Sequence, residues 1–281
     1  MHSTSHRIAT IAWGALWALL ILAFAQGVWG ALLVTNLKIS PSVPWAVVVM
    51  APVLWAMWQY LGGRWWPRRT SATRRCLLRA NRVSQQTMAW SLLAGVLSIV
   101  ALAGYWIVFF DLVKMPPNVL PEMTKYPKLT LILFGIMASF VSPFSEEAAF
   151  RGYFQMPLEQ EFRGVTAVAI SSVLFSLAHL TQGLYWPKLL VYLLAGLVFG
   201  TIAFLTQSTW PAVPVHILAD MSFFALVWPF DAARRLIWDV GADAWFYLHV
   251  AQAVIFSVLA ILAFRRLAAM TRMAAPESSI P

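Results

Sequence analysis

The sequence predicts an all-α protein, a polytopic membrane helix bundle of about eight transmembrane helices. Of its 281 residues, 60% are apolar and only 11% are charged, whereas an average soluble domain carries about 25% charged residues. Several uncharged stretches also reach the roughly 20 residues that are needed to cross a lipid bilayer. A soluble core does not require such runs, so both observations indicate that the chain lies in a membrane.

The apolar runs predict eight spans, separated by Pro- and Gly-containing turns. We expect them at residues 9–35, 43–61, 87–113, 129–157, 164–181, 188–206, 211–229 and 244–264. Three regions follow. Residues 1–128 hold spans 1–3 with a basic cytoplasmic loop at 62–86, residues 129–230 form a core of spans 4–7, and residues 231–281 hold the last span and a disordered basic tail.

The net charge of +9 is concentrated beside the spans. Seven arginines lie between Arg64 and Arg82, and three more follow the last span. Basic residues next to spans are typical of cytoplasmic loops and of contacts with anionic lipid, so they favour both termini in the cytoplasm and argue against nucleic-acid binding. The stretch from Arg68 to Gln86 could form a surface helix or a plain loop. Fifteen arginines against five lysines indicate a GC-rich bacterial genome, so the expected location of this membrane protein is a bacterial inner membrane.

Six ionisable residues fall inside just three of the predicted spans, where each costs several kcal/mol. Glu146, Glu147 and Arg151 lie in the fourth span and His179 in the fifth, while the seventh span holds the remaining two, His216 and Asp220. Pairing or function must offset this cost. Their accumulation in three spans therefore marks a candidate functional site.

Helical spacing organises these residues into pairs. Arg151 follows Glu147 by four positions, and Asp220 follows His216 by four, so the members of each pair share a helix face. The midpoint between Glu146 and His179 falls in the turn near residue 163. At about 1.5 Å per residue, both side chains then lie roughly 25 Å from that turn, at similar height. We therefore expect the spans to bring these side chains together.

These residue types suit amide hydrolysis without a covalent intermediate. A buried glutamate can accept a proton from water, a histidine beside it can orient that water, and a second histidine can stabilise an oxyanion. The sequence shows neither a serine or cysteine nucleophile elbow nor a His-Glu-x-x-His zinc motif. The pattern thus favours a glutamate-dependent hydrolase.

The motifs resemble those of the CPBP family, membrane proteases that include CAAX prenyl endopeptidases and bacteriocin-processing or immunity proteins. The family pattern EExxxR, FxxxH and HxxxN or HxxxD is matched in order over about residues 129–230. Here the motifs span Glu146 to Arg151, Phe175 to His179, and His216 to Asp220. The prenyl endopeptidases carry Asn where this chain has Asp220, and the acid is frequent in bacterial members. The resemblance therefore favours a bacterial protease over a true CAAX enzyme.

The resemblance implies a role for each residue. Glu146 is expected to be the general base, with His179 as its partner in activating water, while His216 and Asp220 form the oxyanion site. The supporting residues are Glu147, Arg151 and Phe175. No cofactor is required by this mechanism, although a zinc ion held by Glu146, His179 and His216 stays open. The expected substrate is a membrane-associated peptide or protein, and the oligomeric state is not specified.

Two other function classes compete with the protease. A non-catalytic bacteriocin-immunity or membrane scaffold protein could keep the same fold, but it would not need Glu146 and His179. A proton-coupled transporter could use buried Glu, His and Arg side chains as a relay. The sequence shows no repeated halves with paired broken helices, which are typical of such transporters.

Overall fold

The computed structural model describes residues 4–114 and 125–274, and all the regular structure within these ranges is helical. The α-helices are α1 Thr4–Ile39, α2 Trp45–Leu61, α3 Ser71–Leu78, α4 Gln85–Leu112, α5 Lys128–Glu146, α6 Gln155–Glu161, α7 Gly164–Ala178, α8 Trp186–Thr206, α9 Ala212–Ser222, α10 Ile237–Val240 and α11 Ala244–Ala274.

Seven helical segments of the described chain are long and apolar enough to cross a membrane. They are Thr4–Ile39, Gln85–Leu112, Lys128–Glu161, Gly164–Thr181, Trp186–Thr206, Ala212–Asp231 and Ala244–Arg272. The apolar helix α2, with 17 residues, adds a shorter eighth segment at the predicted second span. The prediction of an all-α polytopic membrane bundle is therefore confirmed.

The last helix is longer than the predicted eighth span, whereas the tail that the sequence predicts to be disordered begins after Met273. The last helix, α11, continues ten residues past the predicted span end at 264 and includes Arg265, Arg266 and Arg272. These arginines extend an apolar helix at its C-terminal end, where positive side chains also face the favourable end of the helix dipole. The remainder of the predicted tail lies outside the described residues.

Small residues let the helices of the core approach closely. A Cβ atom on Gly196 of α8 would lie 3.0 Å from the Cα atom of Ser172 in α7, so only glycine allows this contact. A Cβ atom on Gly200 would lie 2.9 Å from Oε1 of Gln155 in α6. The Gly196 and Gly200 pair therefore acts as a small-residue face against α7 and α6.

Two wide helical turns interrupt the core helices. A π-helical segment, Glu147–Phe154, joins α5 to α6, and a second one, Phe223–Val227, follows α9. Such turns replace the usual four-residue hydrogen-bond spacing with a five-residue spacing and are frequent at functional sites. Both adjoin ionisable residues of the motifs, since Glu147 begins the first and Asp220 lies three residues before the second.

The basic segment after α2 contains the short helix α3, so the plain-loop alternative is wrong for residues 71–78. Arg74 is buried and donates to the carbonyl oxygens of Tyr60, Trp65 and Pro67. Arg79, also buried, forms an ion pair with Glu159 of α6. Two of the seven arginines thus stabilise the fold, and the other five are exposed: Arg64, Arg68, Arg69, Arg75 and Arg82.

Candidate active site

The motif residues converge on one cavity of about 1120 Å³. Its lining includes the four residues that the sequence assigned to catalysis, Glu146, His179, His216 and Asp220. Phe175 also lines it, whereas Glu147 and Arg151 are completely buried behind it. The helices α5, α7 and α9 therefore bring together the side chains that the spacing predicted to meet.

Glu146 ends α5 and is held by a serine one turn earlier. The Ser142 hydroxyl donates to Oε1 of Glu146 over 2.5 Å. The other carboxyl oxygen, Oε2, is buried and has no hydrogen-bond partner among the described residues. It lies 3.8 Å from Nε2 of His216. Ser142 thus fixes Oε1 of Glu146, and Oε2 remains able to accept a proton or a hydrogen bond.

His216 lies at the centre of the cluster. Its Nδ1 atom is 2.9 Å from Oε1 of Glu147, so the carboxylate accepts a hydrogen bond from Nδ1–H. Its Nε2 atom is 3.6 Å from Oδ1 of Asp220. The ring also stacks on Phe199 of α8, with ring centroids 4.2 Å apart. Glu147 and Phe199 therefore fix the orientation of the ring, and Nε2 is directed toward Glu146 and Asp220.

Glu147 links His216 to the buried arginine. Its Oε2 atom lies 3.4 Å from Nε of Arg151, which confirms the predicted pair at four-residue spacing. Arg151 is fully buried; its Nη2 atom donates to the Gly196 carbonyl, and its guanidinium lies 4.5 Å from the Phe175 ring centroid. The sequence assigned Glu147 to Arg151 alone, whereas the structure adds its hydrogen bond with His216.

His179 is positioned by different neighbours. It lies where α7 ends, and its Nδ1 atom is 2.8 Å from the Phe175 carbonyl oxygen. A carbonyl can only accept, so Nδ1 carries the proton and the neutral ring keeps Nε2 as an acceptor. The ring stacks on Tyr192 of α8, with centroids 3.9 Å apart. No hydrogen bond or ion pair joins His179 to Glu146 within the described residues, although both line the cavity.

Three neighbours of the site, and one contact between predicted site residues, were missed by the sequence reasoning. Ser142 could have been found, because it precedes Glu146 by four residues on the same helix. Tyr192 and Phe199 carry no sequence signal, since aromatic residues are common in every span. The contact between Glu147 and His216 joins residues 69 positions apart, so no local spacing could have shown it.

The described residues offer no assembled ligand set for a metal ion. No group of three or more His, Cys, Asp or Glu side chains in ranges 4–114 and 125–274 is arranged so that it could hold one. Glu146, His179 and His216, the residues that would hold a zinc ion, all line the cavity, and zinc binding by them stays a prediction.

The fold and site together define a class of protein: a membrane-embedded helix bundle with buried glutamate and histidine side chains around a cavity. Residues 128–222 match the model of a family described as Type II CAAX prenyl endopeptidase Rce1-like. The match covers roughly a third of the chain and contains all three motifs, which confirms the resemblance stated above. It supports an intramembrane endopeptidase of the CAAX type in general. No curated protein and no solved structure matches the chain.

Proposed function

We propose that the protein is an intramembrane endopeptidase that hydrolyses a peptide bond in a membrane-associated peptide or protein. Water is activated by Glu146 and His179, and the oxyanion is stabilised by His216 and Asp220. The observation that carries the proposal is that these four side chains line a single cavity. Its volume of about 1120 Å³ is large enough for a peptide segment.

The first step is attack by water on the scissile carbonyl carbon. As the new carbon–oxygen bond forms, the water proton passes to Oε2 of Glu146, and Nε2 of His179 accepts a hydrogen bond that orients the water. Support for this assignment comes from the hydrogen bonds of the two residues. The Ser142 hydroxyl donates to Oε1 of Glu146, so Oε2 remains to accept the water proton. The Phe175 carbonyl accepts from Nδ1–H of His179, so Nε2 remains to accept a hydrogen bond from water.

The carbonyl oxygen becomes an oxyanion in this step and needs a donor. His216 in its imidazolium form donates from Nε2, and the carboxyl groups of Glu147 and Asp220 balance the charge of the ring. The hydrogen bond between Glu147 and Nδ1 leaves Nε2 as the donating atom. Asp220 adjoins this same nitrogen at 3.6 Å, so it orients His216 or, when protonated, donates as a second group.

Collapse of the tetrahedral intermediate completes the reaction. The carbon–nitrogen bond breaks, and the proton held by Glu146 passes to the leaving nitrogen, so that one water is consumed and an amine and a carboxylic acid are released. Glu146 returns to its starting state, and no covalent enzyme intermediate is formed.

We further propose that the protein acts in a bacterial inner membrane with both termini in the cytoplasm. The basic residues beside the spans support this orientation. Because Asp220 replaces the asparagine of the prenyl endopeptidases, the substrate need not carry a prenyl group. An immunity or scaffold protein of the same fold is the second candidate, and it predicts no cleavage.

Proteolysis by the purified full chain in liposomes tests the proposal. Wild type, Glu146→Ala and His179→Ala are incubated with a mixture of membrane peptides, and the products are read by mass spectrometry with and without a strong chelator. Cleavage by wild type alone is the expected result, and sensitivity to the chelator would identify a metal-dependent reaction. Equal behaviour of three folded proteins would refute the protease and favour the scaffold.

A further inference from the structure

A second cavity lies between α2 and α5. It has a volume of about 660 Å³, and its walls are mainly apolar and aromatic. The lining residues of α2 and α5 are Ala51, Leu54, Trp55, Trp58, Gln59, Met137, Phe140 and Phe144. The described residues that line it are all different from those of the catalytic cavity. It is therefore a separate compartment that the proposed reaction does not use.

Polar residues of the basic segment complete the lining of this second cavity. Two exposed arginines, Arg64 and Arg82, line it together with Asn81. Arg64 donates from Nη1 to the neutral amide oxygen of Gln59 over 3.0 Å. Neither arginine forms an ion pair with a carboxylate in the described part of the chain. The charge of the neighbouring Arg79, in contrast, is balanced by Glu159.

The fold holds both arginines in place. The Arg64 amide donates to the Gln59 carbonyl where α2 ends. The residue before Arg82 is tied to the turn after α8, because Asn81 donates to the Gln207 carbonyl and accepts at its own carbonyl from Ser208. Two cationic side chains on a hydrogen-bonded backbone are thus presented beside an apolar cavity, which is the arrangement that an amphiphilic anion fits.

We propose that this cavity is a binding site for an anionic phospholipid. One acyl chain occupies the apolar part between α2 and α5, and the headgroup phosphate contacts Arg64 and Arg82. Guanidinium groups form strong, charge-assisted hydrogen bonds with phosphate oxygens. A zwitterionic lipid would bring its own cation next to the arginines, so the site prefers a headgroup with net negative charge. The proposal is independent of the proposed proteolysis.

Native mass spectrometry of the detergent-solubilised full chain tests the headgroup contact. The protein is mixed with equal amounts of phosphatidylglycerol and phosphatidylcholine with the same acyl chains. We expect wild type to retain phosphatidylglycerol preferentially. We expect the double variant Arg64→Gln/Arg82→Gln to bind it about 30-fold more weakly, since each of the two arginines contributes on the order of 1 kcal/mol near a membrane surface.

The basic segment itself supplies the matched control. Arg68 and Arg69 are exposed arginines of the same segment that do not line the cavity, so Arg68→Gln/Arg69→Gln removes the same charge elsewhere. This control should bind phosphatidylglycerol as wild type does. Equal weakening in both double variants would show only diffuse attraction to the basic segment and would overturn the site. Equal binding of the two lipids by wild type would also overturn it.

A second pair of variants tests the acyl-chain contact without altering charge. Ala51 of α2 lines the cavity, so Ala51→Trp should fill it and weaken phosphatidylglycerol binding. Val49 is an exposed α2 residue that does not line it, and Val49→Trp should have no effect. Thermal unfolding confirms that both variants are folded. Unchanged lipid binding in a folded Ala51→Trp protein would contradict insertion of the chain.

Discussion

Two arginine–glutamate pairs in this molecule are buried to a similar degree but are built differently. At the end of the bundle, Arg79 and Glu159 form two parallel hydrogen bonds of 2.7 and 2.9 Å. In the core, the Nε atom of Arg151 is 3.4 Å from Oε2 of Glu147, and this contact is too poor to count as a hydrogen bond. The first pair makes two charge-assisted hydrogen bonds, whereas the second makes none.

The difference in hydrogen-bond geometry indicates a different role for each ion pair. Both oxygens of Glu159 are occupied by Arg79, so that pair can only hold α3 and the segment after it against α6. The better hydrogen bond of Glu147, at 2.9 Å, goes to His216. A buried ion pair with imperfect geometry is expensive. We infer that the core pair persists because it orients a histidine, whereas the outer pair is a structural clamp.

Glu147→Gln should have the largest effect, because it disturbs both partners of Glu147. Arg151 is left as an unpaired buried charge, which we expect to cost about 3–5 kcal/mol of stability. The amide oxygen of the introduced glutamine can still accept from Nδ1–H of His216, but the ring loses the negative charge that stabilises its imidazolium form, so the cleavage rate should fall by about 100-fold or more. Both are measured on the purified protein, by thermal unfolding and by peptide cleavage per folded molecule. A wild-type rate would contradict the link to His216.

Arg79→Gln should separate stability from activity. It leaves Glu159 without its cationic partner and should lower the stability by about 3 kcal/mol. The cleavage rate per folded molecule should stay within about twofold of wild type, because neither Arg79 nor Glu159 lines the catalytic cavity. Thermal unfolding measures the loss of stability. The cleavage rate is measured at a temperature at which the variant is folded. A large loss of activity would show that the outer pair is not merely a clamp.

Ser142→Ala should slow cleavage by about tenfold, since a hydrogen bond to a charged group contributes about 1.5–3 kcal/mol. The effect should fall on kcat rather than on KM, because Ser142 orients Glu146. Ser145→Ala is the matched control: its hydroxyl donates only to the backbone carbonyls of Val141 and Ser142. Steady-state kinetics distinguish the two, and equal rates for both variants would remove Ser142 from the positioning of Glu146.

Asp220→Asn should have the smallest effect. The asparagine amide can donate a hydrogen bond directly to the oxyanion, and it keeps the shape of the side chain, so we expect kcat within about threefold of wild type. A much larger loss would show that the negative charge of Asp220 on His216 is essential, and would assign it an electrostatic role in place of an oxyanion contact.

The features that the sequence predicted correctly are those that follow from apolar runs and from residue spacing along a single helix. Within residues 4–114 and 125–274, the apolar runs located the seven long apolar helical segments and the shorter helix α2, and the four-residue spacing predicted the contact of Glu147 with Arg151. The height argument brought Glu146 and His179 to one cavity. Each of these follows from helix geometry alone, which makes them accessible before any tertiary structure is known.

The remainder depends on contacts between helices. The hydrogen bond of Glu147 with His216 and the stacking of Tyr192 on His179 follow from how α5, α8 and α9 pack, and no spacing encodes this. The burial of Arg74 was missed for the same reason, because its partners are backbone carbonyls. Such groups are identical at every position and leave no mark in the sequence.

The most direct test of the central claim is cleavage by three proteins in the same liposomes: wild type, Glu146→Gln and Arg79→Gln. Glu146→Gln keeps the size of the side chain and can keep the hydrogen bond from Ser142, but it removes the base. We expect wild type and Arg79→Gln to cleave and Glu146→Gln to be slower by about 100-fold or more. Cleavage by folded Glu146→Gln at the wild-type rate would contradict a glutamate-dependent mechanism.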